Sequence, residues 1–195
     1  MRKQLSAELV NKVLDAAIVL LNMHGHTSEQ KIFKNWINKD FVLLDLFQEH
    51  ERYFLINDYK INNPNKIHDN NDFFKKEDSF SFLIASTLKD IRYNKNFEFS
   101  HDLKLKIFKS VFTILEVHAK FIGSRICQDW SNEYFKPIDF FNEEEKSILY
   151  YNFELYNSNL EDYDEESKEI NFLDEMAFSF LLSSAINDLI IDNKF

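Results

Sequence analysis

The apolar positions of this chain fall into runs spaced three and four residues apart, and polar stretches separate the runs. Leu9, Val10, Val13, Leu14, Ala17, Leu20 and Leu21 share one face of a helix predicted over Ser6–Met23. Ser6 is a suitable N-cap, Glu8 suits the helix dipole, and Gly25 reads as the C-terminal stop. Thr27-Ser28-Glu29-Gln30 has the form of a capping box, predicting a second helix that carries Ile32, Phe33, Trp36 and Ile37. Asp40 then caps a third helix expected to run through Phe54, unless the second and third segments form one bent helix. Residues 57–72 hold six Asn and Pro64 with little periodicity, and read as the main flexible loop.

Helical spacing resumes over Phe73–Tyr93, and residues 95–100 form a short connector. Ser100 caps the longest predicted helix, running to about Asp129. Leu103, Leu105, Ile107, Phe108, Val111, Phe112, Ile114 and Leu115 make it apolar over most of its circumference, which places it at the centre of a bundle. Another helix starts at Asp139 or Asn142 and continues to Tyr156, with Glu143, Glu144 and Glu145 in its first turn. Residues 157–168 form an acidic loop, and Phe172–Ile191 is the last helix. No alternating strand pattern and no repeat at a solenoid period stand out. The expected fold is all-α: one domain over residues 1–195, a bundle of about six or seven helices around the segment near 100–129.

Composition supports this picture. Two Gly and two Pro in 195 residues leave few sharp breaks. The 21 Phe, read beside many Asn, Lys and Ile and few Arg, fit an AT-rich coding bias better than an aromatic binding surface. Cys127 stands alone and cannot form an internal disulfide, and no stretch approaches the ~20 apolar residues of a membrane span. The basic, partly apolar N-terminus is interrupted by Glu8, Asn11, Lys12 and Asp15 and does not have a signal-peptide form. A cytoplasmic location is expected, with no membrane contact.

Charge changes the picture more than composition does. Residues 1–65 carry eight acids and eight bases, and residues 66–130 carry nine acids and eleven bases. Residues 131–195 carry sixteen acids against four bases, so they hold the whole excess behind the net charge of −10. The densest run is Glu161, Asp162, Tyr163, Asp164, Glu165 and Glu166, and Tyr150, Tyr151 and Tyr156 lie nearby. Acids steer and select a basic partner, while tyrosines supply contact area at small entropic cost. These nine residues are the candidate partner-binding set, and the partner expected is a basic protein. Phosphates would be repelled, so no nucleic acid is expected at this third.

Catalytic and cofactor chemistry is not legible. Gly25 and Gly123 are the only glycines, so phosphate-cradling loops are excluded, and one Cys excludes cysteine-type structural zinc. Glu49-His50 and Glu116-Val117-His118 lack the Glu-x-x-His spacing of a helical di-iron site. His24 and His26 flank Gly25 and read as a solvated helix terminus rather than metal ligands. Asp162-x-Asp164-x-Glu166 starts like a calcium loop, but Ser167 stands where Gly is needed and Leu173 where the bidentate Glu belongs. Arg92 and His101 are too far apart for the Arg–His pair of HEPN-type ribonucleases. Cys127, in a mostly apolar segment, reads as a packing residue. No cofactor and no metal are expected.

Val13-Leu14-Asp15-Ala16-Ala17, Leu20-Leu21 and His24-Gly25-His26 resemble the first helix of tetracycline-repressor-type regulators. That resemblance covers about a dozen residues and implies an all-helical transcriptional regulator. Residues 30–46 lack the small residue, glycine turn and aromatic pair of the helix-turn-helix that should follow, and the first 65 residues are electrically neutral. The reading favoured is a non-catalytic acidic inhibitor of bacterial or phage origin, of the immunity-protein, antitoxin or anti-defence type. It would block a basic partner through its C-terminal third. The alternatives are a helical enzyme or ligand-binding bundle with a site built from scattered residues, and the repressor-like regulator.

Overall fold

The computed structural model describes residues 2–29, 46–64, 77–94, 99–122, 140–157 and 175–194. Six helices account for them: α1 (Ala7–Glu29), α2 (Glu49–Asn62), α3 (Glu77–Tyr93), α4 (His101–Ile122), α5 (Glu143–Asn157) and α6 (Glu175–Asp192). No strand occurs among the described residues. The class is all-α, as the periodicity predicts.

The order α1-α2-α3 recurs as α4-α5-α6. α1 packs along α3 and α4 along α6, whereas α2 covers α3 and α5 covers α6. Residues at a spacing of 94 play matching parts. Ser6 and Ser100 accept the N–H groups of Leu9 and Leu103 and cap α1 and α4. Both Trp of the chain, Trp36 and Trp130, keep the same spacing, although they lie outside the described residues. In the third helix of each unit the spacing becomes 98, where Phe-Ser-Phe-Leu-Ile over 80–84 answers Phe-Ser-Phe-Leu-Leu over 178–182. The chain is thus a tandem repeat, one unit over residues 6–93 and the other over 100–192.

Reciprocal contacts relate the two units by an approximate two-fold axis, because residue i of one meets residue j of the other and j meets i. Lys106 of α4 donates to both carboxylate oxygens of Glu51 at 2.9 Å, and Lys12 of α1 donates to both oxygens of Glu145 at 2.8 Å. Each glutamate is the third residue of its helix and also accepts the N–H of its own cap, Gln48 at 2.7 Å and Asn142 at 2.8 Å. One carboxylate therefore starts a helix and ties that helix to the other repeat.

A single apolar cluster runs through all six helices. Val13, Ala16, Ala17, Leu20 and Leu21 of α1 are as deeply buried as Ile107, Phe108, Val111, Ile114 and Leu115 of α4. The centre expected of the segment near 100–129 is thus shared by two helices, and residues 123–129 lie outside the described residues.

Other boundaries differ from the sequence reading for physical reasons. α1 does not stop at Gly25; it continues through Thr27 to Glu29, so no second helix starts at Thr27. A Cβ on Gly25 would lie 2.7 Å from Cε1 of Phe82, so this glycine lets α3 approach closely and is no terminator. The helix expected from Asp40 to Phe54 is interrupted, since Gln48 is extended and α2 starts at Glu49. Residues 57–62, read as loop, form the last turns of α2. The remainder of that loop, 65–72, and the Asp40 cap lie outside the described residues.

Candidate functional site

Of the partner-binding set taken from the sequence, the described side chains are those of Tyr150 and Tyr151. Glu161, Asp162, Tyr163, Asp164, Glu165 and Glu166 lie outside the described residues. Tyr150 leans into the core, and burial pushes its hydroxyl pKa up. Tyr151 is exposed, and the Lys3 ammonium sits 4.9 Å above its ring. Tyr156 lies on α5, and its side chain is outside the described residues. Of the neighbouring acids Glu143–Glu145, Glu145 is buried and bound to Lys12, so it belongs to the repeat interface.

The histidines have a structural place that sequence reasoning missed. His24 and His118 are both buried, and their Nδ1 atoms stand 3.3 Å apart. His26 is exposed, with its ring edge-to-face against Phe82 at 4.9 Å. The two flanks of Gly25 thus point into different surroundings, and no group of three metal-type ligands occurs among the described residues.

A cleft of about 270 Å³ opens between α1, α2 and α3 of the first repeat. Its wall includes Tyr59, Asn62, Phe82, Ser86, Lys89 and Asp90. Asp58, one position ahead of Tyr59 on α2, lies against Asp90. Asp58 is only 7% exposed, and its carboxyl is hydrogen-bonded to that of Asp90. Asn62 donates to Asp90 Oδ2 at 3.0 Å from the next turn of α2. Burial, followed by the neighbouring Asp90, pushes the Asp58 pKa up to about 7. Burial disfavours the charged form, and a second carboxyl at contact distance disfavours it further.

The second repeat has the same place, differently occupied. Asn152 and Asp188 stand where the first repeat has Asp58 and Asp90. The Asn152 amide donates to Asp188 Oδ2 at 3.2 Å. The segment ahead of α1 crosses over this pair. Arg2 Nη1 lies 2.7 Å from Asp188 Oδ1, the Lys3 N–H donates to Asn152 Oδ1 at 2.8 Å, and the Lys3 carbonyl accepts from Asn152 Nδ2 at 2.9 Å. Burial raises the Asp188 pKa on balance, although Arg2 and Asn152 both oppose the shift. Asp188 thus carries the chain's own Arg2, whereas the matching pair in the first repeat consists of two carboxyls.

None of these four residues was singled out from the sequence. The signal that could have found them is Leu-Lys-Asp-Ile over 88–91 set beside Ile-Asn-Asp-Leu over 186–189.

Comparison with known proteins adds no relative. No protein family matches the chain, and neither a curated protein nor a solved structure is significantly similar to it.

Proposed function

We propose that this chain is a non-catalytic binding protein whose acidic second repeat seats on a basic protein and blocks it. In that role it would act in a bacterial or phage-infected cytoplasm, as an immunity protein, antitoxin or phage inhibitor does. One observation carries the reading. The two repeats share an architecture, yet residues 6–93 hold 13 acids and 11 bases while residues 100–192 hold 19 acids and 8 bases. The same scaffold is built with a net charge of −2 in one copy and −11 in the other, so folding does not require the excess. Surface charge of one sign raises the encounter rate with a partner of the other sign and rejects like-charged ones. No helix among the described residues is long and apolar enough to cross a membrane.

The experiment is a capture from the source cell with wild-type protein and with Glu161, Asp162, Asp164, Glu165 and Glu166 changed to Lys. The expected result is a basic protein retained by wild type at low salt, released as salt screens the attraction beyond ~8–10 Å, and lost by the variant. Equal recovery by both proteins would reduce the loop to a solubilising surface and overturn the reading.

A further inference from the structure

We propose that the groove between α5 and α6 of the second repeat is a receptor for an extended Arg-Lys segment of the basic partner, and that residues 2–5 of this chain occupy it as a tethered stand-in which the partner displaces. The owner of the segment rests on the reading of the chain as a binder of basic protein; the chemistry of the groove does not. Residues 2–5 precede α1 and are held by the second repeat. Arg2 Nη1 lies 2.7 Å from Asp188 Oδ1. The Lys3 N–H donates to Asn152 Oδ1 at 2.8 Å, and Asn152 Nδ2 donates back to the Lys3 carbonyl at 2.9 Å. One amide thus meets both backbone groups of one residue, as a neighbouring strand does in a sheet. The Lys3 ammonium sits over the Tyr151 ring at 4.9 Å. A guanidinium, the backbone of the next residue and its ammonium are each met by a side chain of α5 or α6, which is how a receptor reads an extended peptide.

The receiving groups belong to the helices, whereas the received ones lie at the surface. Asn152 and Asp188 are 3% and 5% exposed, and Asn152 also donates to Asp188 Oδ2 at 3.2 Å, so α5 and α6 set the reading pair between them. Lys3 and Gln4 are exposed and Arg2 is half-buried, and none of the three joins the apolar cluster. Leu5 is the one buried side chain of the segment, and α1 has its own start in the Ser6 cap. Lifting residues 2–4 therefore uncovers the groove without opening the core.

Asp188 gives the groove its preference. Burial pushes its carboxyl pKa up, Arg2 and Asn152 oppose the shift, and Asp192 adds to it. Loss of Arg2 leaves a buried acid without its cation, and a second guanidinium restores the bond in the geometry best matched to arginine. The groove lies on the repeat that holds 19 acids against 8 bases, which draws basic segments towards it. A tethered segment competes at an effective concentration on the order of millimolar. The stand-in therefore sets a threshold, which a partner passes by binding more tightly or through further contacts elsewhere on the acidic repeat.

The test releases the segment in the full chain with Arg2→Ala and Lys3→Pro together, which remove the guanidinium and the N–H that Asn152 accepts. The probe is a labelled hexapeptide with the sequence of residues 1–6, Met-Arg-Lys-Gln-Leu-Ser, blocked at both ends and followed by fluorescence anisotropy. The released protein should bind it at least about tenfold more tightly than wild type does. Asp188→Asn added to the released protein should weaken binding by about tenfold or more. Peptides with glutamine in place of the arginine, or proline in place of the lysine, should lose a similar factor, and these comparisons need no further protein variant. Equal binding by wild type and released protein, equal binding of the arginine and glutamine peptides, or undiminished binding with Asp188→Asn would each overturn the proposal and leave residues 2–5 a structural tie. Capture from the source cell separates this inference from the reading it rests on. The released protein should retain more of the basic partner than wild type. A partner retained equally by both would overturn the groove and leave the binder reading standing. Peptide binding with no partner captured would leave the groove a peptide receptor and overturn the binder reading.

Discussion

His24 and His118, 94 residues apart in sequence, meet Nδ1 to Nδ1 at 3.3 Å with their rings at 85°. Each is the other's counterpart in the repeat, so the contact lies on the approximate two-fold axis. A hydrogen bond between two like atoms cannot be symmetric: one ring nitrogen donates and the other accepts. The pair is therefore a place where two equivalent residues take unequal roles, one ring presenting an Nδ1–H and the other a bare Nδ1. His24→Leu and His118→Leu should each destabilise the fold by about 1–3 kcal/mol, as loss of a buried hydrogen-bond partner does. The double variant should cost less than the two singles together, with a coupling of about 0.5–3 kcal/mol. Urea unfolding of the four proteins measures it, and strictly additive losses would show that the contact contributes nothing.

The two capping glutamates make a matched prediction. Glu51 and Glu145 are both buried, which pushes their carboxyl pKa values up, but bonds from lysine and from the cap N–H outweigh burial and hold both below the usual range. A lowered carboxyl stabilises the fold above its unfolded-state pKa and loses that contribution as pH falls through the folded value. Glu51→Gln or Glu145→Gln should cost about 1–3 kcal/mol at neutral pH, with the lysine left without its buried anion. The cost should shrink below about pH 4, where the wild-type carboxyls also become protonated. Thermal midpoints across pH check this, and a cost independent of pH would remove the ion pairs from the explanation.

Asp58 acts in the opposite direction. Its folded pKa stands near 7, against an ordinary value of 3.8, because of burial first and Asp90 second. Between those values the folded protein holds a proton that the unfolded chain has released, so the group's contribution is present at low pH and lost as pH rises towards 7. Asp58→Asn should flatten this decline, stabilising the protein above neutrality and leaving it little changed near pH 4. The second repeat already has asparagine at this place, so the substitution fits the fold. A variant with the same pH profile as wild type would place the titrating group elsewhere.

Much of the fold was legible because local rules dictated it. Ser6 and Ser100 cap the helices they were expected to cap, Asn142 rather than Asp139 caps α5, and the helical spacing located the buried faces of α1 and α4. Gly25 misled because a glycine required for close approach has the same sequence signature as a helix terminator, and only Phe82 across the gap tells them apart. The 57–62 stretch misled because Asn-rich composition was weighed above the packing of Leu55, Ile56 and Tyr59 into the core. The repeat escaped because its 94-residue unit is longer than the ~20–50-residue periods of solenoids, and its third helix shifts to a spacing of 98. The Asp58–Asp90 pair depends on two helices meeting, and no periodicity within either one reports that.

Gly25 supports a final prediction that separates helix propensity from packing. In an exposed helix interior, Gly→Ala stabilises by about 0.5–1 kcal/mol. Here the new methyl would meet the Phe82 ring at 2.7 Å, and that ring is itself wedged edge-to-face with His26 at 4.9 Å. The second repeat has Ala119 at the same position, so the backbone geometry accepts a side chain and the ring alone is the obstacle. Overpacking costs about 1–3 kcal/mol and should outweigh the propensity gain, so Gly25→Ala should destabilise the protein. Phe82→Leu alone should also destabilise it, through lost contact area. Combined with Gly25→Ala it should cost less than the two changes summed, because the smaller side chain leaves room for the methyl. Guanidinium unfolding of the single and double variants measures the coupling, and a stabilising Gly25→Ala would show that α3 can move away from α1 without cost.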